Sequence, residues 1–176
     1  MKKTLTTRRL RLRPLEATDA ADFAKLFSAD HGAVAMTAKF PNPCGEDEAR
    51  AWITKRINGD SWGFAILRRE DGMFVGSVGL TEYEDRVELG YGIGRAFWGR
   101  GYATEAVRAA ADYARELGLS SVEACTFTTN PASARVLEKC GFENMGRTTR
   151  NYPERGGRRA VVLHVLALAE EQRAAG

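Results

Sequence analysis

In the stretch VELGYGIG (87–94), one carboxylate, Glu88, shares a strand face with Gly90 and Gly92, while Val87, Leu89, Tyr91 and Ile93 take the other. Glycine weakens a strand and commonly marks a bulge or the close approach of a ligand or another backbone. A carboxylate beside two missing side chains is placed to take a proton within an opened slot, although a solvated strand position shows the same pattern. Downstream, FWGRGYATEA (97–106) sets Gly99, Gly101 and Ala103 at alternate positions ahead of a helical pattern. Small residues feeding a helix N-terminus leave amides unpaired with the helix dipole behind them, an arrangement suited to an anion and best to a phosphate. A plain connecting turn would use the same glycines. Two familiar phosphate loops do not fit. There is no Gly-Lys-Ser/Thr, and Thr104 stands where a dinucleotide fingerprint needs its third glycine. Asn130 precedes Pro131 as a helix cap would, and Ser133 follows within the first turn.

Other chemistries find less support. His31 and His164 are too few and too far apart for a metal site or a triad. The three cysteines, Cys44, Cys125 and Cys140, are odd in number and form no CxxC pair. That argues against a disulfide framework and a zinc site, and for a reducing compartment. RNYPERGGRR (150–159) holds a single RGG, which reads as a solvated hairpin tip rather than an RNA-binding segment. RRLRLR (8–13) reads as a charged edge strand protected from unwanted pairing. A net charge of +3 leaves room for an anionic ligand without requiring nucleic acid. The basic start, MKKTLTTRRLRLRP, lacks the apolar run of a signal peptide, and no run approaches a membrane span, so a cytoplasmic protein is expected.

The elements that must position these residues fit one domain over 1–176, with 44% apolar and 28% charged residues, as in an ordinary globular chain. A first strand lies in RRLRLR, and Thr18 caps a helix carrying Ala21, Phe23, Ala24 and Phe27. An irregular loop over 30–45 leads to a second helix over 46–58. Three strands follow in 61–69, 73–83 and 87–94, the first two joined by the hairpin signal EDG (70–72). A helix from Tyr102 to Leu117 stops at Gly118, a strand occupies 122–128, and a helix opened by Asn130-Pro131 closes at Gly141. Two strands near 142–149 and 159–168 complete the order β-α-α-β-β-β-α-β-α-β-β, a mixed α/β sheet.

Together these motifs resemble the GNAT superfamily of acetyl-CoA-dependent N-acetyltransferases. Its signature Q/R-x-x-G-x-G/A is matched by Trp98-Gly99-Arg100-Gly101-Tyr102-Ala103, with Trp98 departing from the first position. That departure, GRGYATEA, the start TTRRLRLRPLEATDAADFAKLF and NPASARVLEKCGF (130–142) resemble the subgroup of ribosomal-protein N-terminal acetyltransferases. The resemblance runs from about 5 to 168 and is most specific over 87–142. It implies a V-shaped, mostly antiparallel mixed sheet with about four helices, whose two central strands splay around acetyl-CoA. It implies that the amides of Gly99, Arg100, Gly101, Tyr102, Ala103 and Thr104 hold the pyrophosphate, and that Gly92 and Ile93 pair with the pantetheine arm. Asn130 and Ser133 then contact the cofactor near the thioester. Glu88 is the implied general base with Glu82 as second choice, and Ser133 would hydrogen-bond the departing sulfur. The implied acceptor is a primary amine, either a peptide or protein N-terminus or a small amine. No metal, nucleic acid or membrane is implied, and the chain would act as a monomer or homodimer. The alternative function is a non-catalytic acyl-CoA-binding sensor. The 30–45 loop and the 150–157 turn are the expected walls of the acceptor site.

Overall fold

The computed structural model describes residues 3–28, 34–59 and 61–168. His31 and part of the expected 30–45 loop lie outside them, as does the end of the single expected domain. The strands are β1 Leu5–Thr6, β2 Leu10–Pro14, β3 Ser61–Arg68, β4 Phe74–Glu82, β5 Val87–Ile93, β6 Ser121–Phe127, β7 Glu143–Tyr152 and β8 Gly157–Ala167. Four α-helices accompany them among the described residues: α1 Ala20–Phe27, α2 Glu46–Asn58, α3 Tyr102–Glu116 and α4 Pro131–Lys139. They form one eight-stranded sheet in the order β1-β2-β3-β4-β5-β6-β8-β7.

Every neighbouring pair is antiparallel except β5 and β6. Those two run parallel and share one paired position, Glu88 opposite Glu123. Beyond it the strands part, and the sheet opens into a V toward Ile93 and Phe127.

Alternation assigns the faces. Leu80 pairs with Leu89 and Val78 with Tyr91, and this side packs on α3 through Ala106, Val107 and Ala110. The other side carries Thr81, Gly79 and Ser77 opposite Glu88, Gly90 and Gly92. On that side, an aromatic knot joins α1 and α2 to the 34–40 strap: Phe40 stands 4.9 Å from Phe23, 4.9 Å from Phe27 and 5.1 Å from Trp52, ring centre to ring centre.

Three expectations are corrected. Thr18 does not cap α1; the Asp19 carboxylate accepts from the Glu16 amide at 2.8 Å and pairs with Arg13 at 2.5 Å, so the chain enters through a 3-10 turn. RRLRLR is not simply an edge, because β1 pairs with Arg11 and Leu12 and places β2 between β1 and β3. The RGG tip is not solvated throughout: strand β7 runs on to Tyr152, and Arg155 is 9% exposed. Its guanidinium donates to the carbonyls of Val34 (2.9 Å), Thr37 (2.8 Å) and Phe40 (2.9 Å). One buried cation thus rivets the β7–β8 turn to the strap.

Removing that rivet leaves the Thr37 and Phe40 carbonyls without this donor, while Val34 keeps the Thr37 amide and hydroxyl, and each orphaned buried acceptor costs about 1–3 kcal/mol. Arg155→Ala is therefore expected to lose about 3 kcal/mol, a fall of roughly 6–12 °C in Tm by calorimetry. An unchanged Tm would show that the strap is held by its aromatic knot alone.

Candidate active site

The site is the gap of the V and the cavity beneath it. On β5 the Gly94 amide bonds the Val75 carbonyl of the preceding strand, so antiparallel alternation turns the even residues toward β4. The amides and carbonyls of Tyr91 and Ile93 therefore point into the gap, where β6 has moved away. Trp98 sits at the end of it, and its indole N–H donates to the Ile93 carbonyl at 2.7 Å. The residue that departs from the family signature thus caps the last carbonyl of the open strand edge. This leaves Tyr91 and the Ile93 amide to face a ligand, whereas the backbone of Gly92 faces β4. Gly92 is small for a packing reason: a Cβ there would stand 2.5 Å from the Phe40 ring and 3.2 Å from Thr37.

At the mouth of the gap, Gly99 (φ +73°) and Gly101 (φ +77°) adopt the left-handed conformation that side chains disfavour, and α3 begins directly after them. The first intrahelical bond runs from the Glu105 amide to the Gly101 carbonyl, so the amides of Tyr102, Ala103 and Thr104 precede the helical ladder. These residues, with Gly99, Gly101, Asn130 and Ser133, line one cleft of about 340 Å³. Arg100 does not line it; its carbonyl accepts from Arg9 at 2.9 Å. The Tyr102 side chain turns into the core against Phe97, leaving only its backbone for the cleft.

Sequence reasoning missed what holds this loop. Arg9 donates from its backbone (2.8 Å) and Nε (2.7 Å) to Glu105, and its guanidinium lies 4.9 Å over the Tyr102 ring. Thr7 adds a hydroxyl to Glu105 at 2.6 Å, and these bonds hold the Glu105 carboxyl below its ordinary pKa against the opposing effect of burial. The only signal in the sequence was an arginine among several in RRLRLR.

On the far wall, the Asn130 side chain accepts from the Ser133 amide at 3.1 Å and caps α4. The Ser133 hydroxyl lies 2.6 Å from the Tyr91 hydroxyl, a bond that spans the V from β5 to α4. Burial pushes the Tyr91 phenol up to about 12, so it stays protonated. Either hydroxyl can donate; with the phenol, the stronger donor, donating to Ser133, the serine proton is left for a ligand.

Beneath the gap, Glu88 is 7% exposed, and Lys39 Nζ lies 2.8 Å from its Oε1. Lys39 also donates to the Tyr83 hydroxyl at 2.6 Å, while its own carbonyl accepts from the Trp52 indole at 2.6 Å. Glu88, Tyr91 and Ser133 line a single cavity with Lys39. Glu82 does not join them: it pairs with Val87, which puts it on the opposite sheet face, and it is exposed. Both expected acceptor walls meet here, since Arg155 ties the 153–155 turn to the strap that carries Lys39. His164 is fully buried and bonded to Thr126 at 3.2 Å, and no metal-binding cluster occurs among the described residues.

The Arg9 clamp yields a direct expectation. Arg9→Met should speed amide hydrogen exchange over 99–104 while leaving the β3–β4 core amides protected. Uniform exchange behaviour in parent and variant would mean that the loop needs no clamp.

Residues 9–143 match the family model described as an acetyltransferase (GNAT) domain. The chain is 30% identical over 167 residues to the uncharacterized N-acetyltransferase p20 of Bacillus licheniformis, covering 89% of this chain and 90% of that protein. It is 36% identical over 161 residues to the FsC-acetyl coenzyme A-N(2)-transacetylase of Aspergillus fumigatus, covering 81% and 66% of the two chains. Among solved structures, the ribosomal L7/L12 α-N-protein acetyltransferase RimL in complex with coenzyme A superposes with a TM-score of 0.81 at 16% identity, over 94% of this chain and 98% of that one.

Proposed function

Because the chain belongs to the GNAT acetyltransferase family, we propose that it moves an acetyl group from acetyl-CoA to a primary amine by direct attack on the thioester. The observation that carries this reading is the parted β5–β6 edge, with an amide-rich helix start at its mouth and a carboxylate in the cavity beneath. A ligand with a pyrophosphate at one end and amides along its length suits that slot, and RimL, of the same fold, is bound to coenzyme A. The amides of Gly99 and of 101–104 take the pyrophosphate under the α3 dipole. Tyr91 and Ile93 offer backbone partners to the pantetheine arm.

Attack needs a lone pair on nitrogen, a place for its proton and a stabilised leaving thiolate. Glu88 takes the proton, directly or through one water, since it is the carboxylate that lines the cavity. Ser133, oriented by Tyr91, donates to the departing sulfur from the first turn of α4, where the helix dipole also favours negative charge. A peptide or protein α-amine is the favoured acceptor on protonation grounds. With a pKa of about 7.7–8.0, roughly a tenth is neutral at pH 7, against well under one in a thousand for a lysine side chain.

Acetyl-CoA at a hundred times its Kd should stabilise the fold by about 2.7 kcal/mol, and Gly101→Val should lose most of that gain. Glu88→Gln should lower kcat by ~10²–10⁴-fold while leaving acetyl-CoA affinity nearly intact. Ser133→Ala should also slow turnover, less severely. Stopped assays of thiol release, with calorimetric binding in parallel, check all three. Full turnover by Glu88→Gln at neutral pH would pass the proton to an ordered water instead.

A further inference from the structure

The cavity beside Glu88 has an unusual charge balance. Three charged side chains line it among the described residues, and two of them, Lys39 and Arg56, are cations. Glu88 already answers Lys39 at 2.8 Å. Arg56 lies flat against Trp52, its guanidinium carbon 3.6 Å from the ring centre, with no carboxylate at ion-pair distance among the described residues. Burial lowers its pKa to about 10, and Tyr83 and the exposed Glu154, which makes no ion pair with it, offset that only in part. A neutral donor stands on the same wall: Tyr152 is 4% exposed, and its hydroxyl has the weakly bonding Cys125 thiol beside it and no oxygen or nitrogen partner among the described residues. A buried hydroxyl so placed is free to donate to a bound acceptor.

An acceptor amine enters as an ammonium. At Glu88 it meets Lys39, which already holds one oxygen of the carboxylate, and three cations would then share one carboxylate. An acceptor with no charge but its ammonium is repelled by such a wall. We propose that the acceptor is an amine bearing its own carboxylate, seated with its nitrogen at Glu88 and its carboxylate toward Lys39 and Arg56, with Tyr152 as a neutral donor. This keeps the charge balance: two cations of the wall and one ammonium meet two carboxylates, leaving one positive charge as before binding. The planar guanidinium, fixed on Trp52, presents the fork that suits a carboxylate. The proposal rests on the acetyl-transfer reading and specifies its substrate class. Both a free α-amino acid and a peptide N-terminus with a nearby acidic residue carry this chemistry.

Matched acceptor pairs test it. The first pair is an amino acid and its primary amide; the second is two peptide amides differing only by aspartate or asparagine at position two. In at least one pair the carboxylate member should show a kcat/KM at least tenfold higher, and the pair that does so identifies the source. An amino-acid amide has the less basic amine, so its intrinsic bias runs against this result. Arg56→Met should bring the pair within about twofold while leaving acetyl-CoA affinity unchanged by calorimetry. Arg56→Lys should keep part of the preference and guards against a folding defect in the first variant. Equal rates within both pairs, nil included, or a preference that survives Arg56→Met, would overturn the proposal. Failure of acetyl-CoA to bind the parent protein would instead defeat the acetyl-transfer reading, and the calorimetry reports it separately.

Discussion

Strands β5 and β6 share a single paired position, and everything else in the site follows from what happens past it. A parallel pair in the middle of a sheet would ordinarily satisfy its backbone along its whole length. Here the amides and carbonyls of Tyr91 and Ile93 face an opening, in a region where unpaired backbone groups are costly. The protein answers part of that cost itself, with the Trp98 indole on the Ile93 carbonyl, while the Tyr91–Ser133 side-chain bond ties the two sides of the gap together. What remains is an open strand edge of the kind that accepts an extended, amide-bearing ligand.

Keeping the V open requires fixing both its lips. At the mouth, two left-handed glycines aim the start of α3 outward, and Arg9 and Glu105 hold the loop from behind. Beneath, the Phe40 ring seated on Gly92 and the Arg155 rivet hold the strap in place. Both devices act through the backbone of a loop, fastened by a side chain that is distant in sequence. Arg155 lies more than a hundred positions from the carbonyls it serves, and Arg9 lies almost as far from Glu105.

That distance explains which features could be read from the sequence. The face separation of β5, the glycine loop before α3, the EDG hairpin and the Asn130 cap are local. Each depends on residues within a few positions, where alternation and backbone conformation leave a visible pattern. Arg155 and Arg9 could not be told from solvated arginines, because nothing near them in sequence records the carbonyls they meet. Lys39 sat in a loop with no periodicity, so its pairing with Glu88 was invisible. Tyr91 was legible as a packed residue but not as the partner of Ser133. Glu82 shows the converse: as a carboxylate near Glu88 it stood as the second choice, yet one position of strand register put it on the other face.

The proposal that the parted β5–β6 edge is the acetyl-CoA slot is tested most directly by amide chemical-shift mapping with added acetyl-CoA. The expected result is a set of shifted amides at Tyr91 and Ile93, along 99–104 and at the start of α4 from Ala132 to Ser133, with the β2–β3 amides little changed. An absence of shifts over 99–104, or shifts gathered instead on the exposed face of α3, would contradict it.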